Sequence, residues 1–179
     1  MTQPPKIMQA QIVAQTRIFR VEELALEFSN GEHRVYERLL SRRPAVLIVP
    51  ILNGTHVVLI REYSAGVDKY ELTFPKGLVE PHEALLAAAE RELQEETGYA
   101  ARQLMQLREF TLVPGYMMHK TTIFLAQDLY HSPLPGDEPE PIEVVTWPLD
   151  DIAGLLAQPD FSEGRSIASL WMALRHIGQ

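Results

Sequence analysis

Cysteine is absent from all 179 residues, so the fold has no disulfide, no zinc–thiolate centre and no thiol nucleophile to draw on. Long apolar runs are missing too. No stretch reaches the ~18 residues of a membrane span, and the opening MTQPPKIMQAQIVAQ lacks the continuous apolar core of a signal peptide. A cytoplasmic protein without a membrane partner is the expectation. Basic residues are the minority, 16 Lys and Arg against 24 Asp and Glu for a net charge of −8. Nothing supplies the basic stripe that a nucleic-acid partner requires. The six histidines fall at spacings that match no zinc pattern. Repeats, low-complexity tracts and long linkers are also lacking, and the composition, 46% hydrophobic and 22% charged, is that of an ordinary globular chain. A small anionic substrate stays open despite the acidic balance, because a bound metal inverts the local field.

What is present begins with strands, over roughly residues 11–43. Arg17–Val21 alternates, Leu24–Phe28 alternates weakly, Ser29-Asn30-Gly31-Glu32 is a hairpin turn, and His33–Arg38 returns as its partner. Ala45–Pro50 and His56–Ile60 are apolar runs separated by Asn53-Gly54, two buried strands about a second turn. Thr121–Ala126 reads as a core strand, Pro133–Pro141 as a loop dense in prolines and acids, and Glu143–Trp147 as a late strand. Ile152–Leu156 and Ser166–His176 read as helices, with Asp150 and Ser166 at their starts and Ile167, Leu170, Trp171 and Leu174 on one face of the second. Strands first, then helices in the middle and at the end, indicate a compact α/β sandwich.

Residues 77–99, GLVEPHEALLAAAERELQEETGY, carry the chemistry. Pro81 suits a first helical turn and Gly98 a left-handed terminus. Between them Ala84–Ala89 are good helix formers, and Glu83 would sit near the positive end of the helix dipole. On that helix Glu92, Glu95 and Glu96 fall at about 0°, 300° and 40°, one acidic stripe, beside an apolar stripe of Leu86, Ala89 and Leu93 that holds the helix on a core. Three like charges on one stripe repel unless a cation lies between them. A core-anchored row of oxygen ligands is what a hard divalent ion needs.

The pattern Gly-x5-Glu-x7-Arg-Glu-apolar-x-Glu-Glu-x-Gly resembles the box of the Nudix hydrolase family, with Tyr99 where the family usually has an aliphatic residue. Chance agreement at a given start has a probability on the order of 10⁻⁸. The resemblance implies an α/β fold, a Nudix-type α/β/α sandwich with a mixed sheet over residues 44–179, and an N-terminal β-hairpin extension over residues 1–43. It implies Mg²⁺, with Mn²⁺ as the alternative, held by Glu92 and Glu96. Glu95 would be a ligand or orient metal-bound water, and the carbonyl of Lys76 would complete the shell. Glu83 and Arg91 would form an ion pair bracing these ligands from behind. The lack of cysteine weighs against the isopentenyl diphosphate isomerase relatives of the fold.

A general base must lie elsewhere. Gly136-Asp137-Glu138-Pro139-Glu140-Pro141 resembles the acidic loop that supplies it in ADP-ribose pyrophosphatases of the family, which favours Glu140, with Glu138 next. Arg61-Glu62-Tyr63, Glu71–Gly77, Phe28–Gly31, Val35–Arg38 and Ala126–Tyr130 are similar to the subgroup called ADP-compounds hydrolases, which cleave ADP-ribose, diadenosine triphosphate and NADH. Many ADP-ribose pyrophosphatases carry an arginine where this chain has Ser64, a departure from strict ADP-ribose specificity. Pro114 and Tyr116 stand where the family places a proline for ADP-ribose and a tyrosine for diadenosine polyphosphates. Arg42, Arg43, Arg61 and Lys120 are candidate phosphate contacts or surface charge; Tyr63, Phe74, Tyr116 and Met117 either stack on adenine or belong to the core.

Two function classes follow. One is a metal-dependent pyrophosphohydrolase splitting ADP-linked compounds into AMP and an X-phosphate, with nucleotide sugars as the alternative substrate. The other is a non-catalytic nucleotide-binding module, which has no need of a full set of mutually repelling glutamates. The N-terminal extension, exchanged across a two-fold interface in relatives that have one, implies a homodimer.

Overall fold

The computed structural model describes residues 3–41 and 43–178. Two compact units emerge: the chain up to Pro44 together with Thr111–Lys120, and Ala45–Phe110 together with the chain from Thr121 onward.

The first unit is a four-stranded sheet of β1 (Lys6–Gln15), β2 (Arg20–Glu27), β3 (His33–Leu40) and β9 (Met117–Met118), in that spatial order. The antiparallel β1–β2 and β2–β3 pairs make a meander rather than a single hairpin. The reading of Arg17–Val21 as one strand is corrected. Thr16 and Phe19 bond to each other across a tight turn, through Thr16 N to Phe19 O at 2.8 Å and Phe19 N to Thr16 Oγ1 at 2.9 Å. The strand starts only at Arg20. β1 is exposed along its whole length, so burial imposes no alternation on it, and the sequence pattern shows only its second half.

The second unit holds β4 (Ala45–Leu52), β5 (His56–Ser64), β6 (Lys69–Thr73), β7 (Lys76–Leu78), β8 (Tyr99–Thr111), β10 (Lys120–His131) and β11 (Glu143–Pro148), with α1 (Leu85–Thr97), α2 (Ile152–Leu156) and α3 (Gly164–Ile177). The sheet runs β11-β5-β4-β10-β8, with β6 on β5 and β7 on β4. β4 and β10 are parallel and β4 and β5 antiparallel, which makes the sheet mixed. Alternation builds two cores from one strand. Leu47, Val49 and Ile51 of β4 pack with Leu170, Ala173 and Leu174 of α3. Val46 and Ile48 pack with Ala88, Ala89 and Leu93 of α1. β10 divides likewise, Ile123 and Leu125 to one side and Phe124 and Ala126 to the other. Helices therefore cover both faces of the sheet, the expected sandwich.

Helix boundaries needed correction. His82 takes φ 69°, which breaks any helix through Pro81, and α1 begins at Leu85 behind an uncapped Ala84. Leu86 is half exposed, and Leu85 packs on the α1 core instead. Gly98 ends the helix at φ 75° as expected, its N–H returning to Gln94 O. Asp151, not Asp150, caps α2 by accepting from Gly154 N at 3.1 Å. Ser166 lies inside the first turn of α3, where it donates to Glu163 Oε2 at 2.7 Å and accepts from Phe74 N. Trp171 is 55% exposed, and the buried face of α3 runs Ser166, Ser169, Leu170, Ala173 and Leu174.

Candidate active site

Hydrophobic burial sets the pose of α1. Ala88, Ala89 and Leu93 lock one side of it on the sheet, and this carries Glu92 and Glu96, themselves buried, over the start of β7. There the Lys76 backbone N–H donates to Glu96 Oε2 at 2.8 Å. Gly77 lies against the Glu92 carboxylate so closely that a Cβ would overlap it; only glycine leaves that carboxylate in place. β7 is fixed in turn by pairing Lys76 with Leu47 and Gly77 with Val46.

Arg91 binds three of the glutamates. It grips Glu83 bidentately, Nε to Oε1 at 2.9 Å and Nη2 to Oε2 at 3.0 Å, and its Nη1 donates to Glu92 at 2.7 Å and Glu95 at 2.8 Å. Nη2 also reaches Leu78 O. Glu83 accepts as well from Glu80 N at 2.8 Å, closing the loop before α1. The guanidinium holds the Glu83 carboxyl below the usual carboxylate range, and Glu83 in turn raises the pKa of Arg91. Such a bidentate pair is a strong geometric fix.

Glu96 and Glu92 have electrostatics opposite to those of Glu83. Burial pushes Glu96 well above its ordinary range, against the pull of Lys76. Burial also raises Glu92, with Glu95 and Asp137 adding to it against Arg91. A desolvated anionic pair of this kind calls for a cation.

The acidic loop brings one more carboxylate to this place. Oxygens of Glu62, Glu96 and Glu138 all lie within 4.8 Å of one another. This oxygen-only donor set, on a buried glutamate, fits a hard divalent ion. Glu138 is raised by burial and by the charges of Glu62 and Asp137. Glu140 is placed differently: it accepts a hydrogen bond from the Tyr70 hydroxyl at 2.6 Å. The two loop candidates thus face different partners. Glu62 was part of the Arg61-Glu62-Tyr63 resemblance but was given no role at the site from the sequence. It precedes Glu96 by 34 positions, and only the sheet and the ion pair of Lys76 with Glu62 bring the two together. Tyr70 was not singled out, because nothing in its surroundings along the chain marks it.

The substrate candidates are scattered. Arg61 is engaged by Glu143 at 3.0 Å and by Asp160. Phe74 is fully buried and packs edge-on against Phe161, so it belongs to the core and offers no stacking face. Tyr63 is half exposed and donates to Asp68 at 2.7 Å. Tyr116, Met117, Arg43 and Lys120 belong to the first unit, with Tyr116 half exposed in the turn before β9. Arg42 lies outside the described residues. A cleft of about 510 Å³ runs between the C-terminal half of α1 and the acidic loop, lined by Glu95, Glu96, Glu138 and Glu140 among others. A smaller one of about 90 Å³ lies between that loop and Arg61–Tyr63.

Comparison with known proteins agrees with this architecture. Residues 41–170 match the NUDIX domain family, and residues 5–38 match the NudE-type Nudix hydrolase N-terminal domain. The chain is 48% identical over 171 residues to the ADP compounds hydrolase NudE of Escherichia coli (strain K12), covering 95% of this chain and 91% of the relative. It is 25% identical to an ADP-ribose pyrophosphatase of Bacillus subtilis (strain 168) over 90% of each chain. A crystal structure of an ADP compounds hydrolase superposes with a TM-score of 0.93 at 46% identity, covering 99% of this chain and 96% of that one. Box, fold and relatives converge: this chain belongs to the Nudix hydrolase family.

Proposed function

We propose that the protein is a divalent-metal-dependent pyrophosphohydrolase that splits ADP-linked compounds, with ADP-ribose, NADH and diadenosine triphosphate as substrates, into AMP and an X-phosphate. The observation that carries this reading is the convergence of Glu62, Glu96 and Glu138 beside the Glu92–Gly77 contact. Its substrate class rests on the similarity to an ADP compounds hydrolase along nearly the whole chain.

Glu96, with Glu92, Glu95 and the Lys76 carbonyl, would hold Mg²⁺ or Mn²⁺, and Glu62 and Glu138 lie beside Glu96. The ion, when bound, offsets charge on the diphosphate and lowers the pKa of water. Glu83 and Arg91 hold the ligand carboxylates in register by the bonds described above, an outer layer that fixes the inner one. Glu138 is the general base. Its carboxyl is raised by burial and by the charges of Glu62 and Asp137, the direction a base requires, and its oxygens lie beside those of Glu96 while Glu140 is held by Tyr70. A new bond forms from water oxygen to phosphorus, the P–O–P bond breaks, the water proton goes to Glu138, and the departing phosphate leaves as an anion. Arg61, Arg42 and Tyr116 are the candidate substrate contacts; Arg61 must exchange a carboxylate partner for phosphate to act as one.

Residues 1–43 form an extension that pairs with a second copy, and residues 44–179 form the catalytic domain of a cytoplasmic homodimer. Supporting the dimer, Ile7, Met8, Ile12, Val13, Val35 and Tyr36 of the first unit are all exposed, apolar side chains that a second copy would cover. Among the described residues no helix is long and apolar enough to cross a membrane.

The test is a matched series of ADP-, GDP- and UDP-linked compounds at one metal concentration. Cleavage of the ADP-linked members, with AMP as their common product, is expected. A pocket that pairs the polar edge of adenine rejects other bases, since a mismatched base leaves buried polar groups unpaired. A clear preference for a GDP- or UDP-sugar would move the protein to nucleotide-sugar hydrolysis.

A further inference from the structure

The loop that carries Glu138 has four prolines in the nine residues from Pro133 to Pro141 and no regular structure. It is nonetheless tied down on both sides of Glu138. Upstream, Gln94 of α1 donates from Nε2 to Ser132 O at 2.9 Å and to Ser132 Oγ at 3.0 Å. Downstream, Glu140 accepts from the Tyr70 hydroxyl at 2.6 Å.

Tyr70 itself is held from behind. Its ring meets that of Tyr63 edge-on, with centroids 5.8 Å apart, and the Tyr63 hydroxyl donates to Asp68 at 2.7 Å. Asp68 sits at φ 54° in the turn joining β5 and β6, its N–H bonded to Ser64 O at 2.9 Å. A sheet-anchored turn thus fixes one tyrosine, which fixes the other, which holds the loop. Tyr63 and Tyr70 are cross-strand partners on β5 and β6, and each is about half exposed. Their hydroxyls are nevertheless both spent on carboxylates.

We propose that Tyr70 is a positioning residue for hydrolysis: by tethering Glu140 it sets the place of Glu138 two residues upstream against Glu62 and Glu96. The proposal rests on the reading of Glu138 as the base. It gives Glu140 a tethering role, which makes a distinctive demand. A tether needs only an acceptor at position 140, whereas a base needs a carboxylate.

The experiment is a set of purified variants, Tyr70→Phe, Glu140→Ala, Glu140→Gln, the double Tyr70→Phe/Glu140→Ala, and Glu138→Gln. Each is measured for kcat and KM on ADP-ribose with Mg²⁺, for Mn²⁺ affinity by calorimetry, and for Tm. Glu138→Gln should lower kcat by roughly a hundredfold or more, the loss of a general base. Tyr70→Phe and Glu140→Ala should each lower kcat about tenfold, the scale of one charge-assisted hydrogen bond, with KM, Mn²⁺ affinity and Tm near wild type. The double variant should be no worse than either single one, because both remove the same bond. Glu140→Gln should fall less than Glu140→Ala, since its amide oxygen still accepts from Tyr70.

Wild-type kcat in Tyr70→Phe, additive losses in the double variant, or a loss in Tyr70→Phe that tracks a fall in Tm and Mn²⁺ affinity would each overturn the proposal. A loss in Glu140→Gln as deep as in Glu138→Gln would overturn it too, by making Glu140 a reacting group. Near-wild-type kcat in Glu138→Gln would instead defeat the base assignment beneath it, a result visible without any Tyr70 variant.

Discussion

Glu96 is the residue on which burial and charge conflict most. It is 7% exposed and carries a carboxyl pushed well above its usual range by that burial. Glu92 and Glu138 are shifted the same way, with burial again the first cause. A carboxyl whose folded pKa exceeds its unfolded value costs stability as pH rises past the unfolded value near 4.5, and the cost is complete above the folded one. The metal-free protein should therefore lose stability as pH rises above about 4.5 on account of these groups. Divalent metal should restore more at the high end, where the ligands are already deprotonated. Thermal melts with and without Mg²⁺ at pH 5 and pH 8 check this; a larger metal-induced rise in Tm at pH 5 would contradict it. Glu96→Gln should lower kcat by roughly three orders of magnitude by removing a ligand charge, while the metal-free Tm at pH 8 rises. Activity near wild type at saturating Mg²⁺ would rule out the ligand role. The stripe of Glu92, Glu95 and Glu96 was legible from spacing, because one helix carries all three, whereas the pairing of Glu83 with Arg91 was legible from the resemblance to the Nudix box. The roles of Glu62 and Tyr70 were not: each residue is brought to the site by strand pairing and loop docking, which a local pattern does not encode.

Among the elements, α1 and β7 make the site together, and each needs the other. β7 contributes backbone, an N–H for Glu96 and an empty Cβ position for Glu92. Gly77→Ala should therefore disturb function more than folding, since the atoms in the way are the far end of a flexible side chain. Calorimetric Mg²⁺ affinity should fall about tenfold or more, on the scale of outer-layer changes at metal sites, with Tm shifting by only a few degrees. Wild-type affinity would show that Glu92 binds no metal from its present position. Buried elements were readable in the sequence: β4 is a continuous apolar run because both its faces are covered, and Gly98 marks the end of α1. Boundaries set by tertiary contacts were not. Pro81 looked like a helix start, yet the bidentate Glu83–Arg91 grip and the turn at His82 hold those residues outside the helix. β8 was missed because most of its side chains lie at least partly in solvent, which leaves no clear alternation, and the exposed first half of β1 left none either.

For the molecule as a whole, assembly is the first consequence. Light scattering coupled to gel filtration should give twice the 20.3 kDa chain mass at micromolar concentration, and Val35→Glu, which places a charge on the exposed face of β3, should shift it toward the monomer; a monomeric wild type would contradict the dimer. The α/β class was legible from the order of strands and helices, and the mixed sheet covered on both faces from the resemblance to the Nudix family. The proposed substrate class rests on likeness to relatives, since no described side chain besides the acidic cluster and its clamps declares a ligand. The most direct test of the central claim is a product analysis of wild-type protein acting on ADP-ribose with Mg²⁺, with Mg²⁺ removed by chelation, and with the metal restored. Equal amounts of AMP and ribose 5-phosphate, abolished by chelation and recovered on re-addition, are predicted. AMP release that survives chelation, or no cleavage of any ADP-linked compound under conditions where another nucleotide diphosphate ester is turned over, would contradict it.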